Sequence, residues 1–389
     1  MIKRELLKQV EKQLKQVPVV AITGPRQSGK TTLSKKVGKG FQYYNLEDIP
    51  TKSRILEDPA GFINQIEGPV IIDEIQKIPE LLSQIQVSVD ESKKIGQFII
   101  TGSESLLLSE KISQSLAGRV VNNTLLPLSY EELKDQKQEE KNINKQIIKG
   151  FYPRIYETNM DSLTFYQGYL STYVEKDVRQ IQNIGNLSIF EKFLQILAGR
   201  VGQLLNLTSI GNDLGISHGT VEKWISILEA SYIVYRLQPH FVNIGKRLVK
   251  SPKVYFYDTG LLCYLLGIHQ EKDLKNYFNY GSIFENFVIS ETYKHIYNNK
   301  LSSKLYFFRD SNGLEIDMIV DGGIKQLGIE IKSAQTISSD FLKSIEVYRP
   351  NLNVEFKGGI VYTGVSENNI RDIEIYNINN LKRLFNQIK

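Results

Sequence analysis

The segment Gly24-Pro25-Arg26-Gln27-Ser28-Gly29-Lys30-Thr31-Thr32 has the residue types and spacing of a phosphate-binding loop. Gly24 and Gly29 let the backbone turn so that its N–H groups point inward at a triphosphate. Lys30 is expected to reach the β- and γ-phosphates, and the Thr31 hydroxyl to hold Mg²⁺. All nine residues, from Gly24 to Thr32, are therefore assigned to nucleotide binding. A second motif, Pro69-Val70-Ile71-Ile72-Asp73-Glu74, is a short apolar run ending in two carboxylates. Asp73 is placed to hold Mg²⁺ through a water, completing the octahedral shell this ion demands. Glu74 would orient or deprotonate the attacking water. Ser115-Leu116-Ala117-Gly118-Arg119 offers an arginine to stabilise charge on a transferring phosphoryl group, in its own subunit or a neighbour's. The alternative for Arg119 is a surface ion pair.

A second group of charged residues lies towards the C-terminus. Glu285 falls in an apolar segment, Ile283–Ile289, that reads as a helix. Leu314–Val320 reads as an alternating strand that turns through Asp321-Gly322-Gly323 into a returning strand, Gln326–Ile331, followed by Lys332. Side chains two apart on a strand share a face, so Glu330 and Lys332 point the same way, with Asp317 on the partner strand. Glu285, Asp317, Glu330 and Lys332 are expected to converge on one Mg²⁺, held by Asp317 and Glu330, for metal-assisted phosphodiester hydrolysis. A hairpin with solvated charges on one face is the alternative.

These side chains need elements to place them. Val17–Ile22 reads as the strand before the loop, Thr31–Val37 as the helix after it, and Phe41–Asn45, Val70–Ile72 and Phe98–Thr101 as further strands. Apolar runs without alternation suit strands buried on both faces of a parallel sheet. The fold expected is α/β: a P-loop NTPase parallel sheet flanked by helices, then a helical and winged-helix region, then a further α/β domain. Glu131–Lys145 is dense in charge and reads as a solvated helix or linker. Leu163–Val178 and Ile189–Leu205 have the apolar spacing of amphipathic helices. Leu207–Leu214, ended by Gly215, then a helix capped by Ser217 with Val221, Trp224, Ile225 and Leu228 on one face, then a strand over Tyr232–Leu237, make a winged-helix pattern. His218, Thr220, Glu222 and Lys223 face away from that core, and Glu222 would repel phosphate. Lys246, Arg247, Lys250 and Lys253 could form a basic wing on a DNA backbone; a winged helix used only for packing is the alternative. The expected divisions are 1–130, 131–206, 207–258 and 259–389.

A chain of 389 residues exceeds one hydrophobic core, in keeping with several domains. Its net charge of +5 permits nucleic-acid contact without requiring it. Cys263 is the only cysteine, so no disulfide can form within the chain, and four scattered histidines make a Cys/His zinc site unexpected. Met1–Gln16 reads as a lysine-rich amphipathic helix rather than a signal peptide, and no apolar run approaches a membrane span. A soluble, cytoplasmic protein without a membrane partner is expected.

Taken in order, these motifs resemble a large family of bacterial and archaeal AAA-superfamily ATPases. Its members carry a C-terminal domain of unknown function with a winged helix and a segment similar to the PD-(D/E)XK nuclease fold. The resemblance runs from Gly24–Thr31 through Val70–Gln76, Ile100–Ser103, Leu116–Arg119, Leu126–Ser129 and Lys253–Gly260 to Glu315–Lys332. It implies ATP and Mg²⁺ as cofactors and ATP hydrolysis. It also implies that Ser103, or Thr101, senses the γ-phosphate, and that Glu285, Asp317, Glu330 and Lys332 match the four functional positions of the nuclease-like module. DNA and further copies of the chain are the expected partners. The other reading is a regulatory NTP switch that binds a protein partner, with an inactive C-terminal domain.

Overall fold

The computed structural model describes residues 2–103, 112, 114–173, 187–240, 250–349 and 354–388. The chain forms two compact units. The first comprises Met1–Leu128 with Ala230–Ile233 and Tyr297–Lys300; the second comprises Ser129–Glu229, Val234–Ile296 and Leu301–Lys389.

In the first unit the described residues build one parallel sheet from β1 (Val19–Thr23), β2 (Gln42–Asn45), β3 (Val70–Asp73), β4 (Phe98–Gly102) and β5 (Val120–Thr124). The spatial order is β2-β3-β4-β1-β5. The unalternating apolar runs have the cause anticipated: both faces are covered. Val19, Ala21, Val70, Ile72, Phe98 and Ile100 enter one core, while Val20, Ile22, Ile71 and Ile99 enter another on the opposite face. The order also decides what meets what. β4 lies between β1 and β3, so the C-terminal end of β4 stands between the phosphate-binding loop and the acids of β3.

The second unit holds a mixed sheet whose described strands are β6 (Val234–Pro239), β7 (Lys253–Phe256), β8 (Lys304–Arg309), β9 (Glu315–Asp321), β10 (Lys325–Lys332), β11 (Glu355–Tyr362) and β12 (Ile373–Asn377), in the order β12-β11-β10-β9-β8-β6-β7. Helices Leu207–Leu214 and His218–Ala230, joined through Gly215 at φ +67°, precede the antiparallel pair β6–β7. Ser217 Oγ accepts from Thr220 N at 3.1 Å, and Val221, Trp224, Ile225 and Leu228 are buried. β6 also pairs in parallel with β8, so this hairpin and β9–β10 belong to one sheet.

The stretch after Ser129 corrects an expectation. Within Glu131–Lys145, expected as a solvated helix or linker, the start departs from that reading: Tyr130–Lys134 is a helix in which Glu131 and Glu132 are buried, while most of the residues from Lys134 to Lys145 are exposed or half-buried. Ser129 and Glu132 form a reciprocal capping box, Glu132 N donating to Ser129 Oγ at 3.0 Å and Ser129 N to Glu132 Oε2 at 2.9 Å. The carboxylate spends its charge on an orphan N–H at the helix start, which removes the need for water.

Candidate functional site

The loop after β1 owes its shape to residues that tolerate left-handed backbone. Gly24 has φ +149°, and a Cβ there would stand 2.2 Å from the Leu125 carbonyl oxygen. Gly29 has φ +94° and opens the helix Lys30–Val37; Gln27 is also left-handed at φ +60°. Lys30 folds back, its ammonium donating to the carbonyls of Gly24 at 3.0 Å and Pro25 at 2.8 Å. Ser28 is fully buried and its hydroxyl makes no hydrogen bond, an orphaned polar atom inside the cradle. The helix start, the glycines, Lys30 and this unsatisfied hydroxyl fit a bound phosphate chain. Pro25, Arg26 and Thr32 complete the segment, Arg26 standing 3.9 Å from Glu47.

The acid pair at the end of β3 lies beside this loop. Asp73 is buried and receives three hydroxyls. Thr31 donates to Oδ2 at 2.8 Å, Tyr43 to the same oxygen at 2.8 Å, and Thr101 to Oδ1. Burial and the hydrogen bond to Asp73 raise the Tyr43 phenol well above its ordinary value, so it stays a donor. Glu74 is left-handed, with φ 59° and ψ 48°, a conformation costly for a non-glycine residue and found at sites that must aim a side chain. Its N–H donates to Thr101 Oγ1 at 3.1 Å. Its Oε2 accepts from Ser103 Oγ at 3.0 Å and from the Gln76 amide, which also donates to Ser103 at 3.0 Å. Both sensor candidates thus touch the acids: Thr101 holds Asp73, and Ser103 holds Glu74. Tyr43 and Gln76 are partners that the sequence reading did not single out.

Arg119 lies away from the loop of its own chain. It precedes β5, whose first residue Val120 pairs with Val19, whereas the phosphate loop follows Thr23 at the other end of β1. Five residues of strand, roughly 17 Å, separate the two levels. Arg119 is paired with exposed Asp90, its second guanidinium nitrogen 2.8 Å from Oδ2, and donates to the Ala117 carbonyl at 2.9 Å. Action on the nucleotide of its own subunit is therefore excluded by position, and the surface ion pair is what this arrangement contains.

In the second unit the register Ile329↔Met318 places Glu330 opposite Asp317 on one face. Lys332 Nζ stands 3.1 Å from Asp317 Oδ2 and 2.6 Å from Glu330 Oε2, while Ile331 N donates to Asp317 Oδ2 at 2.7 Å. Asp317 and Glu330 are only 8% and 3% exposed, so these are not solvated hairpin charges. Glu285, on the helix Tyr280–Asn299, joins them through charge: Asp317 helps to raise its pKa, though burial is the larger cause, and the result is about 7. Burial, then the neighbouring Asp317, pushes the Glu330 carboxyl well above the ordinary carboxylate range. Burial alone would pull Lys332 down, but the two acids hold it above its ordinary value.

Lys253 is also part of this cluster, which corrects its place in a basic wing. It is 2% exposed, 3.0 Å from Glu285 Oε1, and paired with Glu315, which Arg309 also meets at 3.1 Å. Tyr255 donates to Glu285 Oε1 as well. Lys332 bridges the two carboxylates, and Lys253 pairs with Glu285. Among the described residues no group of three or more His, Cys, Asp or Glu is arranged to hold a metal.

On the helix His218–Ala230, His218 and Lys223 are exposed, and Glu222 is offset by Arg236 at 2.8 Å. Lys250 is exposed; Lys246 and Arg247 lie outside the described residues. Among the described residues no helix is long and apolar enough to cross a membrane.

The parallel sheet, its loop and the acids of β3 define an AAA-type P-loop nucleotide-binding domain, and the AAA domain family matches residues 16–134. Two families described as domains of unknown function, DUF8612 and DUF4143, match residues 140–272 and 280–381. The chain belongs to the same family as the uncharacterized protein Rv2008c of Mycobacterium tuberculosis, to which it is 32% identical over 337 residues, 86% of this chain and 75% of that one. An uncharacterized protein of Haemophilus influenzae is 26% identical, with 78% of this chain and 82% of that one covered. Among solved structures, the Walker-type ATPase paby2304 of Pyrococcus abyssi aligns with TM-score 0.43 at 13% identity, covering 67% of this chain and 94% of that one. The RuvB Holliday junction branch migration motor of Thermotoga maritima aligns with TM-score 0.32 at 18% identity, covering 60% and 90%.

Proposed function

We propose that the first unit binds and hydrolyses Mg²⁺-ATP. The observation that carries this reading is the meeting of the loop with the acid strand: Thr31 and Tyr43 each reach Asp73 at 2.8 Å, and Glu74 is the next residue. Thr31 and Asp73 would hold Mg²⁺, which neutralises charge developing on the phosphates. Lys30 exchanges its two loop carbonyls for phosphate oxygens, a charge-assisted bond in place of neutral ones. Glu74 orients the attacking water and draws off its proton, while Ser103 and Gln76 set the direction of its carboxylate. Lys30→Ala is expected to weaken ATP binding by at least tenfold, since hydrogen bonds to charged groups are worth about 1.5–3 kcal/mol. Calorimetric titration checks it; an unchanged affinity would remove Lys30 from the site.

We infer that the second unit recognises DNA, with the Glu285, Asp317, Glu330 and Lys332 cluster serving structure rather than cleavage. The helix–turn–helix with its β6–β7 hairpin supports recognition, and the self-neutralised cluster supports the absence of turnover. Lys223 and Lys250 are the exposed cations to test. DNA binding should weaken steeply with salt, and replacing either lysine by alanine should flatten that slope by about one unit. Salt-independent binding, or none at low ionic strength, would leave the regulatory switch with a protein partner.

A further inference from the structure

Arg4 precedes the first helix, Leu7–Gln13, and is 6% exposed. Its guanidinium donates to the carbonyl of Ser28 at 2.7 Å, to that of Leu126 at 2.7 Å and to that of Pro127 at 3.4 Å. Ser28 and Gly29 share a trans peptide, and in a planar trans peptide the C=O and N–H point to opposite edges. Anchoring the Ser28 oxygen on Arg4 therefore turns the Gly29 N–H away from Arg4. Gly29 is the residue that opens the helix behind the loop, where inward N–H groups receive phosphate. The other two bonds secure the opposite end of the loop. Leu125 N donates to Thr23 O at 2.7 Å, and the Leu125 carbonyl lies where a Cβ on Gly24 would fall, so the chain next to Leu126 is the wall on which Gly24 rests. One guanidinium thus ties the Ser28 end of the loop to the wall beside its Gly24 end. Its rigid fork allows simultaneous bonds, and its charge persists at any working pH.

We propose that Arg4 is a positioning residue for nucleotide phosphate: it clamps both ends of the loop and directs the Gly29 N–H towards the ligand. This rests on the nucleotide-binding reading of Gly24–Thr31.

The test is the affinity of the full chain for ATP and for ADP, in the parental protein, Arg4→Met and Arg4→Lys, each well below its own Tm. Arg4→Met should raise both Kd values about tenfold or more, since three bonds from a charged donor are lost. Arg4→Lys keeps the charge without the fork and should fall between the two. kcat at saturating ATP should stay near the parental value while KM rises, because Arg4 touches no reacting atom. A merely structural role would lower Tm and leave Kd and KM unchanged, and that result overturns the proposal. If Arg4→Met does not fold, Arg4→Lys decides alone: a raised Kd supports the clamp and a parental Kd overturns it. A parental protein that binds neither nucleotide removes the nucleotide reading itself, whereas binding that ignores Arg4 removes only this proposal.

Discussion

Glu74→Gln is expected to keep ATP bound and to slow its hydrolysis by about 10²–10⁴-fold, the range that a positioned general base supplies. The amide preserves the size of the side chain and can still accept from Ser103, which reaches Glu74 Oε2 at 3.0 Å. What it loses is the capacity to take a proton from water. Binding should be spared because the phosphates are met by the loop and Lys30, not by Glu74. Calorimetry on the variant should give an ATP affinity close to the parental one. A large loss of affinity would mean that Glu74 shapes the loop rather than the water.

Lys253→Met should be among the most destabilising single changes in the second unit, at about 3–5 kcal/mol, the usual cost of leaving a buried charge without its partner. Lys253 meets Glu285 and Glu315, and its side chain is 3% exposed. The sign of the pH dependence follows from Glu285, whose pKa is raised to about 7 by burial even with Lys253 in place. A carboxyl raised on folding contributes stability below its unfolded pKa and loses it as pH rises through the folded value. Without Lys253 that folded value climbs further, so the deficit should be largest near pH 8 and shrink towards pH 5. Urea unfolding of both proteins at the two pH values checks this. A deficit under 1 kcal/mol at pH 8, or one that grows on acidification, would show that Lys253 does not hold these acids.

The parts of the structure that sequence made legible are local ones. The phosphate loop, its strand and its helix are contiguous, and period-two placement sufficed to put Glu330 and Lys332 on one face with Asp317 opposite. β5 escaped notice because Val120–Thr124 is half-polar and only partly buried, unlike the apolar strands beside it. Arg119 looked available for phosphate until the parallel pairing of β5 with β1 put it at the wrong end of the sheet. Lys253 followed a run of basic residues and read as surface, yet its partners come from a distant helix and strand. Tyr43, Gln76 and Arg4 act through contacts that no spacing encodes: Arg4 reaches a loop 24 residues on and a strand end 122 residues on. The buried Ser129–Glu132 capping box was legible, since serine followed three residues later by glutamate is a helix-start signature, but the surrounding charge concealed it.

Hydrolysis of ATP at the junction of Asp73, Glu74 and the loop can be read from phosphate release. Phosphate release at saturating Mg²⁺-ATP, measured side by side for the parental protein and Glu74→Gln, tests it most directly. Steady release by the parental protein, and release slower by at least a hundredfold in the variant, is the expected result. Equal rates, or no release from a parental protein shown to bind ATP, would contradict it.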